Sequence, residues 1–244
     1  KVLQAVHPVV IVDESHNATS RLSEQMLNDL QPSLVIDLIA TPRENSNIIC
    51  FTDALELKKN NMVKLPVIVY NHTNKSQMID SALHLQRSLE ITRKQDASGN
   101  YIRPIVLFQA ESKQQGAEDR ETFEKVKQKL LDLKIPEEQI KIKTAEIDEL
   151  KGIDLMSADC PVRYIITINA LKEGWDCPFA YILASLADKS SAVDVEQIVG
   201  RVLRLPYARR NQNDVLNLSY VLTASSKFQE TLDNVVRGLN HAGF

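Results

Sequence analysis

Two adjacent carboxylates follow a short apolar run near the start of the chain, in the stretch VVIVDESH at residues 9–16. Mg²⁺ prefers oxygen ligands and keeps several waters, so Asp13 can hold the ion through a water molecule. The neighbouring Glu14 can then polarise the water that attacks a γ-phosphate. The alternative is a core strand followed by an ordinary acidic turn, because so short a motif also occurs by chance. The stretch therefore predicts one half of a nucleotide-hydrolysing site.

Polar side chains recur at helical spacing in VEQIVGRVLR, residues 195–204. The spacing places Gln197, Arg201 and Arg204 along one helix face. Two arginines on one face can bind phosphate oxygens bidentately or neutralise transition-state charge, although a solvated cationic face is the alternative. Gly200 costs about 1 kcal/mol relative to alanine inside a helix, so it predicts close approach by another group. The opposite stripe is apolar and is predicted to face the core: Val195, Ile198, Val199 and Val202.

Two further stretches place polar groups beside predicted strands. KEGWDCP, residues 172–178, supplies a turn at Gly174 and a carboxylate at Asp176. Asp176 can bind a ribose hydroxyl or pair with an arginine of the helix above; the alternative is a loop whose Trp175 packs on the core surface. The hydroxyl of Thr41, within Ala-Thr-Pro, follows a predicted strand. It can relay between a nucleotide and a nucleic acid, or simply belong to a strand-terminating turn.

Short apolar runs alternate with amphipathic stretches along the chain, which indicates an α/β fold with a mainly parallel sheet covered by helices. The predicted strands are residues 9–12, 34–39, 67–70, 105–109, 140–143, 164–168, 181–185 and 218–223. The predicted helices are residues 22–30, 75–94, 118–133, 194–205 and 226–239. Ligands bind beyond the carboxyl ends of parallel strands, so Asp13 and Glu14 are predicted to lie at a ligand-binding edge.

The overall composition narrows the classes of function. No stretch of the 244 residues fits G-x-x-x-x-G-K-[ST], so the phosphate-cradling loop that such a site requires is missing from them. The three cysteines form no C-x-x-C pair, which argues against a zinc site and favours a reducing, cytoplasmic environment. No apolar run approaches the ~20 residues that span a membrane. The formal charge of −3 means that nucleic-acid binding would need a local basic groove.

The four stretches follow one another in the order DESH, Ala-Thr-Pro, GWD and QIVGRVLR. This order resembles that of the later motifs in superfamily-2 helicase-like ATPases of the DExH type. ALKEGWDCP and SAVDVEQIVGRVLRLP, with the spacing between them, are especially similar to the Res subunit of type III restriction enzymes. The resemblance extends over nearly the whole chain. It implies a RecA-like parallel sheet with helices on both faces, in a protein whose two RecA-like domains close on ATP.

The resemblance implies roles for four residues of the first domain. Asp13 would help to hold Mg²⁺, and Glu14 would activate the hydrolytic water. His16 would communicate with the other domain, unless it is an inert histidine near a helix start. Thr41 would couple hydrolysis to movement along the strand.

The resemblance likewise implies that the second domain contributes to the nucleotide site. Gly174, Asp176 and Gln197 would approach the nucleotide, and Arg201 and Arg204 are the candidates for arginine fingers. In addition, residues 108–112 fall where the family places a strand-end loop near the nucleic-acid backbone, although a plain surface loop is at least as good a reading.

The motor that the resemblance implies is a translocase that holds double-stranded DNA mainly through its phosphates. It would work with a methyltransferase subunit and with an endonuclease domain outside this chain. Residues 1–60 are predicted to be the C-terminal part of the first RecA-like domain, and residues 61–244 the whole second one. Without a P-loop the chain alone is expected to hydrolyse no ATP. The alternatives are another superfamily-2 DNA or RNA helicase and a non-catalytic RecA-like binding module.

Overall fold

The structure is a computed structural model that describes residues 2–13, 20–39, 47–96, 100–113, 120–168, 175–187 and 191–241. The chain forms two compact units, Lys1–Phe51 and Thr52–Phe244. The boundary that the sequence suggested near residue 60 therefore lies inside the second unit. Residues 62–64 belong there because they pair with residues 203–205: the Leu205 N–H donates to the carbonyl of Met62 at 3.0 Å.

The first unit contains two short helices and two parallel strands. In chain order these are α1 (Val2–Ala5), β1 (Val9–Asp13), α2 (Arg21–Asp29) and β2 (Leu34–Leu38). The Ser20 hydroxyl caps α2 by accepting a hydrogen bond from the Ser23 N–H at 3.1 Å, a favoured way to begin a helix. β1 and β2 are in register, with Val9 opposite Leu34.

The two strands of this unit are apolar in sequence, which is typical of buried strands, but their described residues are largely exposed. Ile11 in β1 is 64% exposed and Leu38 in β2 is 50% exposed. The described part of this unit supplies only two strands and two helices, so neither strand gains the cover on both faces that a parallel strand normally has. The first unit thus presents apolar strand faces to solvent.

The second unit contains a six-stranded parallel sheet. Its strands are β3 (Val67–Asn71), β4 (Ile105–Gln109), β5 (Ile140–Lys143), β6 (Tyr164–Thr167), β7 (Ala180–Ser185) and β8 (Ser219–Thr223). Their order across the sheet is β3-β8-β7-β4-β6-β5, and every neighbouring pair is parallel. All six strands lie within two residues of the predicted runs. Buried strands such as β4 and β7 read as nearly continuous apolar segments, and the half-buried β5 reads as an alternating one.

Five helices of this unit connect or follow the strands. They are α3 (Ala54–Lys59), α4 (Lys75–Gln95), α5 (Phe123–Asp132), α6 (Ala192–Leu203) and α7 (Ser226–His241), with 3₁₀ turns at Glu137–Gln139, Pro206–Ala208 and Asp214–Asn217. The apolar pattern did not predict α3, whose six residues follow an Asp53 cap. In contrast, α4 is long and capped by the Asn74 side chain, which accepts from the Ser76 N–H at 2.7 Å. Among the described residues, no helix has the length and apolar composition to cross a membrane.

The core of the second unit surrounds the middle of the sheet. Every residue of β4, β6, β7 and β8 is buried, so both faces of these strands are covered. The stripe that α4 contributes repeats at helical spacing and consists of Met78, Ile79, Ala82, Leu83, Gln86 and Leu89. The predicted fold class, an α/β layer with a parallel sheet flanked by helices, is confirmed.

Candidate functional site

Asp13 lies at the carboxyl end of a parallel strand in the first unit. It is the last residue of β1, opposite Leu38 of β2, and its side chain is exposed. An exposed carboxylate at this edge has the oxygen chemistry that Mg²⁺ requires. Four other predicted site residues lie outside the described part of the chain: Glu14, His16, Thr41 and Gly174.

Helix α6 carries the predicted arginine face of the second unit. The Ser191 hydroxyl caps it by accepting from the Asp194 N–H at 3.3 Å. Gln197 and Arg201 are half-buried on one side. The apolar stripe on the other side is at most 7% exposed: Val195, Ile198, Val199 and Val202. Packing of this stripe fixes the rotation of the helix, and with it the direction in which Gln197 and Arg201 lie.

α6 ends at Leu203, so the predicted helix through residue 205 is two residues too long. Arg204 is extended (φ −66°, ψ 125°) and no longer belongs to the helical face. The cause is an antiparallel pairing between residues 62–64 and residues 203–205, whose main-chain N–H groups donate across at 2.5 and 3.0 Å. Pro206 acts in the same direction, because a residue that precedes proline avoids the helical region. Long-range pairing therefore fixes the backbone position from which the Arg204 side chain extends.

Both arginines contact the segment at residues 175–176. Arg201 Nη1 donates to the Trp175 carbonyl oxygen at 2.6 Å, and Arg204 Nη1 forms an ion pair with Asp176 Oδ2 at 2.5 Å. Trp175 is also partly buried against the core cluster. The loop thus shows both features that the sequence suggested: its tryptophan packs on the core, and its carboxylate pairs with an arginine.

The Arg204–Asp176 pair lies in a well-hydrated position. Its side chains are 62% and 46% exposed, respectively. Exposed ion pairs contribute at most about 1 kcal/mol, because water screens the charges and the side chains lose freedom. A phosphate group could therefore replace Asp176 as the partner of the guanidinium at little energetic cost. Arg201 lies deeper and points towards the same loop.

Gly200 lies on α6 three residues after Gln197, on the same side of the helix. A Cβ atom built on it would meet no described atom within 4 Å. No described residue is therefore the group whose close approach Gly200 predicts, and that prediction remains open for a ligand. The absence of a side chain instead leaves open space beside Gln197 and Arg201.

Cys177 follows Asp176 directly but has no exposed thiol. It is 1% exposed, and burial raises the pKa of the thiol to about 11. Reactive cysteines need an accessible thiolate, so Cys177 is a packing residue. Within the described ranges, no cluster of three or more histidine, cysteine or acidic side chains is placed to hold a metal ion. The described part of this loop supplies one carboxylate, and the positive charge comes from Arg201 and Arg204, which contact it.

A row of polar side chains crosses the carboxyl edge of the six-stranded sheet, and only one of its members was singled out from the sequence. The last residue of every strand is polar, and the register aligns them: Asn71, Thr223, Ser185, Gln109, Thr167 and Lys143. Ser185 Oγ and Gln109 Oε1 form a hydrogen bond of 2.8 Å. The Thr167 hydroxyl is buried and has no hydrogen-bond partner among the described residues. This row could have been predicted from the sequence, because each apolar run that forms a strand ends in a polar residue.

Residues 108–112 do not form a plain surface loop. Phe108 is fully buried within β4, and only Ser112 at the end of the stretch is exposed. The Glu111 carboxylate accepts from Lys75 Nζ at 2.6 Å and from the Glu121 N–H at 2.8 Å. These bonds hold the chain where it leaves the sheet edge.

No protein-family model matches the chain, and no curated protein sequence matches it significantly. Solved structures do match. LlaBIII, an ATP-dependent type ISP restriction-modification enzyme bound to DNA, has a TM-score of 0.52 and 14% identity over 96% of this chain. The helicase Lhr of Mycobacterium smegmatis, bound to single-stranded DNA and AMP-PNP, has a TM-score of 0.54 and 14% identity over 97%. The L327V variant of Dbp5 of S. cerevisiae, bound to RNA and ADP-BeF₃, has a TM-score of 0.54 and 12% identity over 96%.

The fold is that of RecA-like helicase domains. At these identities the RecA-like match establishes the architecture of this chain and leaves its chemistry to its own residues. The chain spans only part of each matched protein, namely 20% of LlaBIII, 31% of Lhr and 57% of Dbp5.

Proposed function

We propose that this chain is part of an ATP-driven nucleic-acid motor in which Arg201 and Arg204 act on the phosphates of ATP. The observation that carries the proposal is the attachment of both arginines to residues 175–176, on a RecA-like fold. A guanidinium group presents a planar set of donors that fits phosphate oxygens, and as a finger it neutralises charge in the transition state.

In the proposed mechanism, each described residue of the second unit has a distinct task. Arg204 leaves Asp176 and donates to a phosphate oxygen, while Asp176 becomes available to a ribose hydroxyl. Arg201 stays anchored to the Trp175 carbonyl and supplies positive charge. Gln197 lies beside the open space at Gly200 and can orient a nucleotide there. Gly174, next to this segment, is proposed to approach the nucleotide as well.

The proposal assigns the remaining roles to the first unit. Asp13 would hold Mg²⁺ through water, which fits its position as an exposed carboxylate at the end of β1. When bound, the ion neutralises charge on the phosphate oxygens. Glu14 activates the attacking water, His16 communicates between domains, and Thr41 couples hydrolysis to movement. Under this proposal the first unit ends a first motor domain and the second unit forms the second, with the boundary at residues 51–52 instead of 60–61.

We further propose that the motor is the translocase of a type III restriction enzyme. ALKEGWDCP and SAVDVEQIVGRVLRLP support this narrower assignment, because they resemble the Res subunit. Double-stranded DNA would then be the track, a methyltransferase subunit the partner, and an endonuclease domain a further part of the whole protein.

Two other functions compete with this assignment. A different superfamily-2 helicase would use the same residues on DNA or RNA, and it is distinguished by which nucleic acid stimulates ATP hydrolysis. A non-catalytic RecA-like module would bind partners without hydrolysis, and it is distinguished by the absence of nucleotide turnover in the intact protein.

The 244-residue chain alone is expected to release no phosphate from ATP, because it contains no loop of the P-loop pattern to hold the β- and γ-phosphates. The measurement is phosphate release from the purified chain with and without double-stranded DNA. Turnover above the protein-free background would contradict the proposed division of the site.

In the intact protein, Arg204→Ala is expected to lower the DNA-stimulated ATPase rate by about 10³-fold, the lower end of the range for an arginine finger. Arg209→Ala is the matched control, since Arg209 is an exposed arginine five residues further on that the mechanism does not use. The rates are compared at saturating ATP. Equal rates for the two variants would remove Arg204 from the mechanism.

A further inference from the structure

Lys64 is the one lysine in the described residues whose whole side chain is buried, at 0% exposure. It lies just before β3, outside every motif that the sequence analysis singled out. Its Nζ donates to the carbonyl oxygens of Pro178 at 3.0 Å, Ala180 at 3.0 Å and Arg204 at 2.5 Å. An ammonium group has three donors, and all three are used on main-chain acceptors.

The three acceptors belong to the two segments that hold the candidate site together. Arg204 is the residue that ends α6, and Pro178 is two residues after Asp176, its ion-pair partner. The main chain of Lys64 adds a further link, because its N–H donates to the Leu203 carbonyl at 2.5 Å. Lys64 therefore links, through buried hydrogen bonds, the two main-chain segments that carry the partners of the exposed ion pair.

The energetic difference between these contacts decides which of them sets the geometry. The Arg204–Asp176 pair is exposed, and exposed ion pairs contribute little to stability because water screens their charges. A buried ammonium that loses its acceptors is penalised several-fold more, because a desolvated charge remains unpaired. The buried contacts of Lys64 consequently outlast the exposed pair when a phosphate displaces Asp176.

We propose that Lys64 is a positioning residue that fixes the end of α6 against the turn at residues 178–180, and so aims Arg204. This inference rests on the proposed function and extends it, because Lys64 itself touches no nucleotide. Its effect is on the step in which the finger stabilises the transition state, with ATP binding left nearly unchanged.

The electrostatic surroundings of Lys64 support this role. Burial lowers the pKa of its ammonium group to about 7, against smaller opposing effects of Cys177 and Asp176. Its Nζ also lies 4.2 Å from the centre of the Tyr181 ring. Burial raises the pKa of the Cys177 thiol to about 11, and it raises the pKa of the Tyr181 phenol as well. Those two groups therefore keep their protons from pH 6 to 9, where Lys64 loses one of its three donors.

Trp175 provides a reporter, because it is the only tryptophan of the chain and its carbonyl accepts from Arg201. In the 244-residue chain, Lys64→Met removes the three donors and keeps an unbranched side chain that is one heavy atom shorter. The expected result is a red shift of the Trp175 emission and stronger quenching by acrylamide, with the circular dichroism retained. Lys59→Met is the matched control, since Lys59 is exposed at the end of α3 and should leave the emission unchanged.

The wild-type chain supplies a second measurement that does not depend on the variant's folding. Its Trp175 emission is expected to change with a midpoint near pH 7, and this transition should be missing in Lys64→Met. If Lys64→Met unfolds, the smaller change Lys64→Gln decides: a red-shifted Trp175 emission supports the positioning role, and an emission like that of the wild type overturns it.

The intact protein separates this inference from the proposed function. There, Lys64→Met is expected to lower kcat for ATP about tenfold or more, with KM for ATP within about twofold. A variant with unchanged kcat overturns the role of Lys64, whereas Arg204→Ala continues to test the motor. A wild-type protein that hydrolyses no ATP overturns the proposed function, and the Trp175 emission still decides whether Lys64 positions the loop.

Discussion

All three hydrogen bonds of the Lys64 ammonium group go to main-chain carbonyl oxygens, and its side chain is fully buried. Burial of a charge without a carboxylate partner is unfavourable, which is the reason for the lowered pKa. The folded state therefore binds this proton more weakly than the unfolded chain does, and stability becomes coupled to pH.

The sign of that coupling gives a prediction at the level of this residue. Below pH 7, Lys64 is charged in both states; between pH 7 and about 10.5, the unfolded chain keeps a proton that the folded chain has released. The free energy of unfolding should therefore rise with pH by up to about 1.4 kcal/mol per pH unit from this group. Urea unfolding at pH 6.5 and 9 measures the change.

In Lys64→Met this contribution should disappear, so the stability difference between wild type and variant should move in favour of the wild type as the pH rises. Lys59→Met should follow the wild type at both pH values, because Lys59 is exposed. A pH dependence identical in all three proteins would show that Lys64 does not titrate in this range.

Among the secondary-structure elements, those with strong local signals were predictable and those with long-range causes were not. The strands Ile105–Gln109 and Ile140–Lys143 have the predicted bounds, because four to five apolar or alternating residues flanked by turns define them. The end of α6 was missed, since it depends on pairing with residues 62–64, which are far away in sequence. Helical periodicity correctly placed Gln197 and Arg201 on one face of α6. No local sequence pattern predicted the contacts of Lys64, because its partners are far away in sequence.

Helix α6 also yields a prediction through Gly200. Replacing it by alanine should stabilise the chain by up to about 1 kcal/mol, because alanine favours the helix and its Cβ would enter open space. If a nucleotide occupies that space in the intact protein, the same variant should bind and hydrolyse ATP less well.

The measurements are urea unfolding of the 244-residue chain and the KM for ATP of the intact protein. Higher stability together with a raised KM supports a ligand beside Gly200. Higher stability with an unchanged KM would mean that the open space faces solvent throughout the cycle. A loss of stability would instead indicate that the helix meets a group outside the described residues.

At the scale of the whole molecule, the two units differ in how well they cover their apolar surface. The second unit buries complete strands, whereas in the first unit Val9, Ile11 and Leu34 are 57%, 64% and 48% exposed, respectively. A two-stranded sheet with exposed apolar faces and free strand edges readily pairs with another sheet. The apolar runs of the first unit predicted its strands correctly. Their exposure could not be predicted from these runs, because burial depends on which neighbouring elements pack against them.

The apolar surface of the first unit should therefore make the 244-residue chain self-associate, and a chain of residues 52–244 should remain monomeric with its fold retained. The reason is that the buried residues that form the core of the second unit all lie between Met78 and Leu232, and the shorter chain keeps all of them. Sedimentation velocity at increasing concentration measures the association, and circular dichroism checks the fold. The double variant Ile11→Lys and Leu34→Lys in the full chain should reduce association as the deletion does, because charged residues on exposed strands oppose pairing. A monomeric wild-type chain would show that the exposed strands of the first unit do not cause association in solution. Association that persists in residues 52–244 would show that the associating surface lies in the second unit.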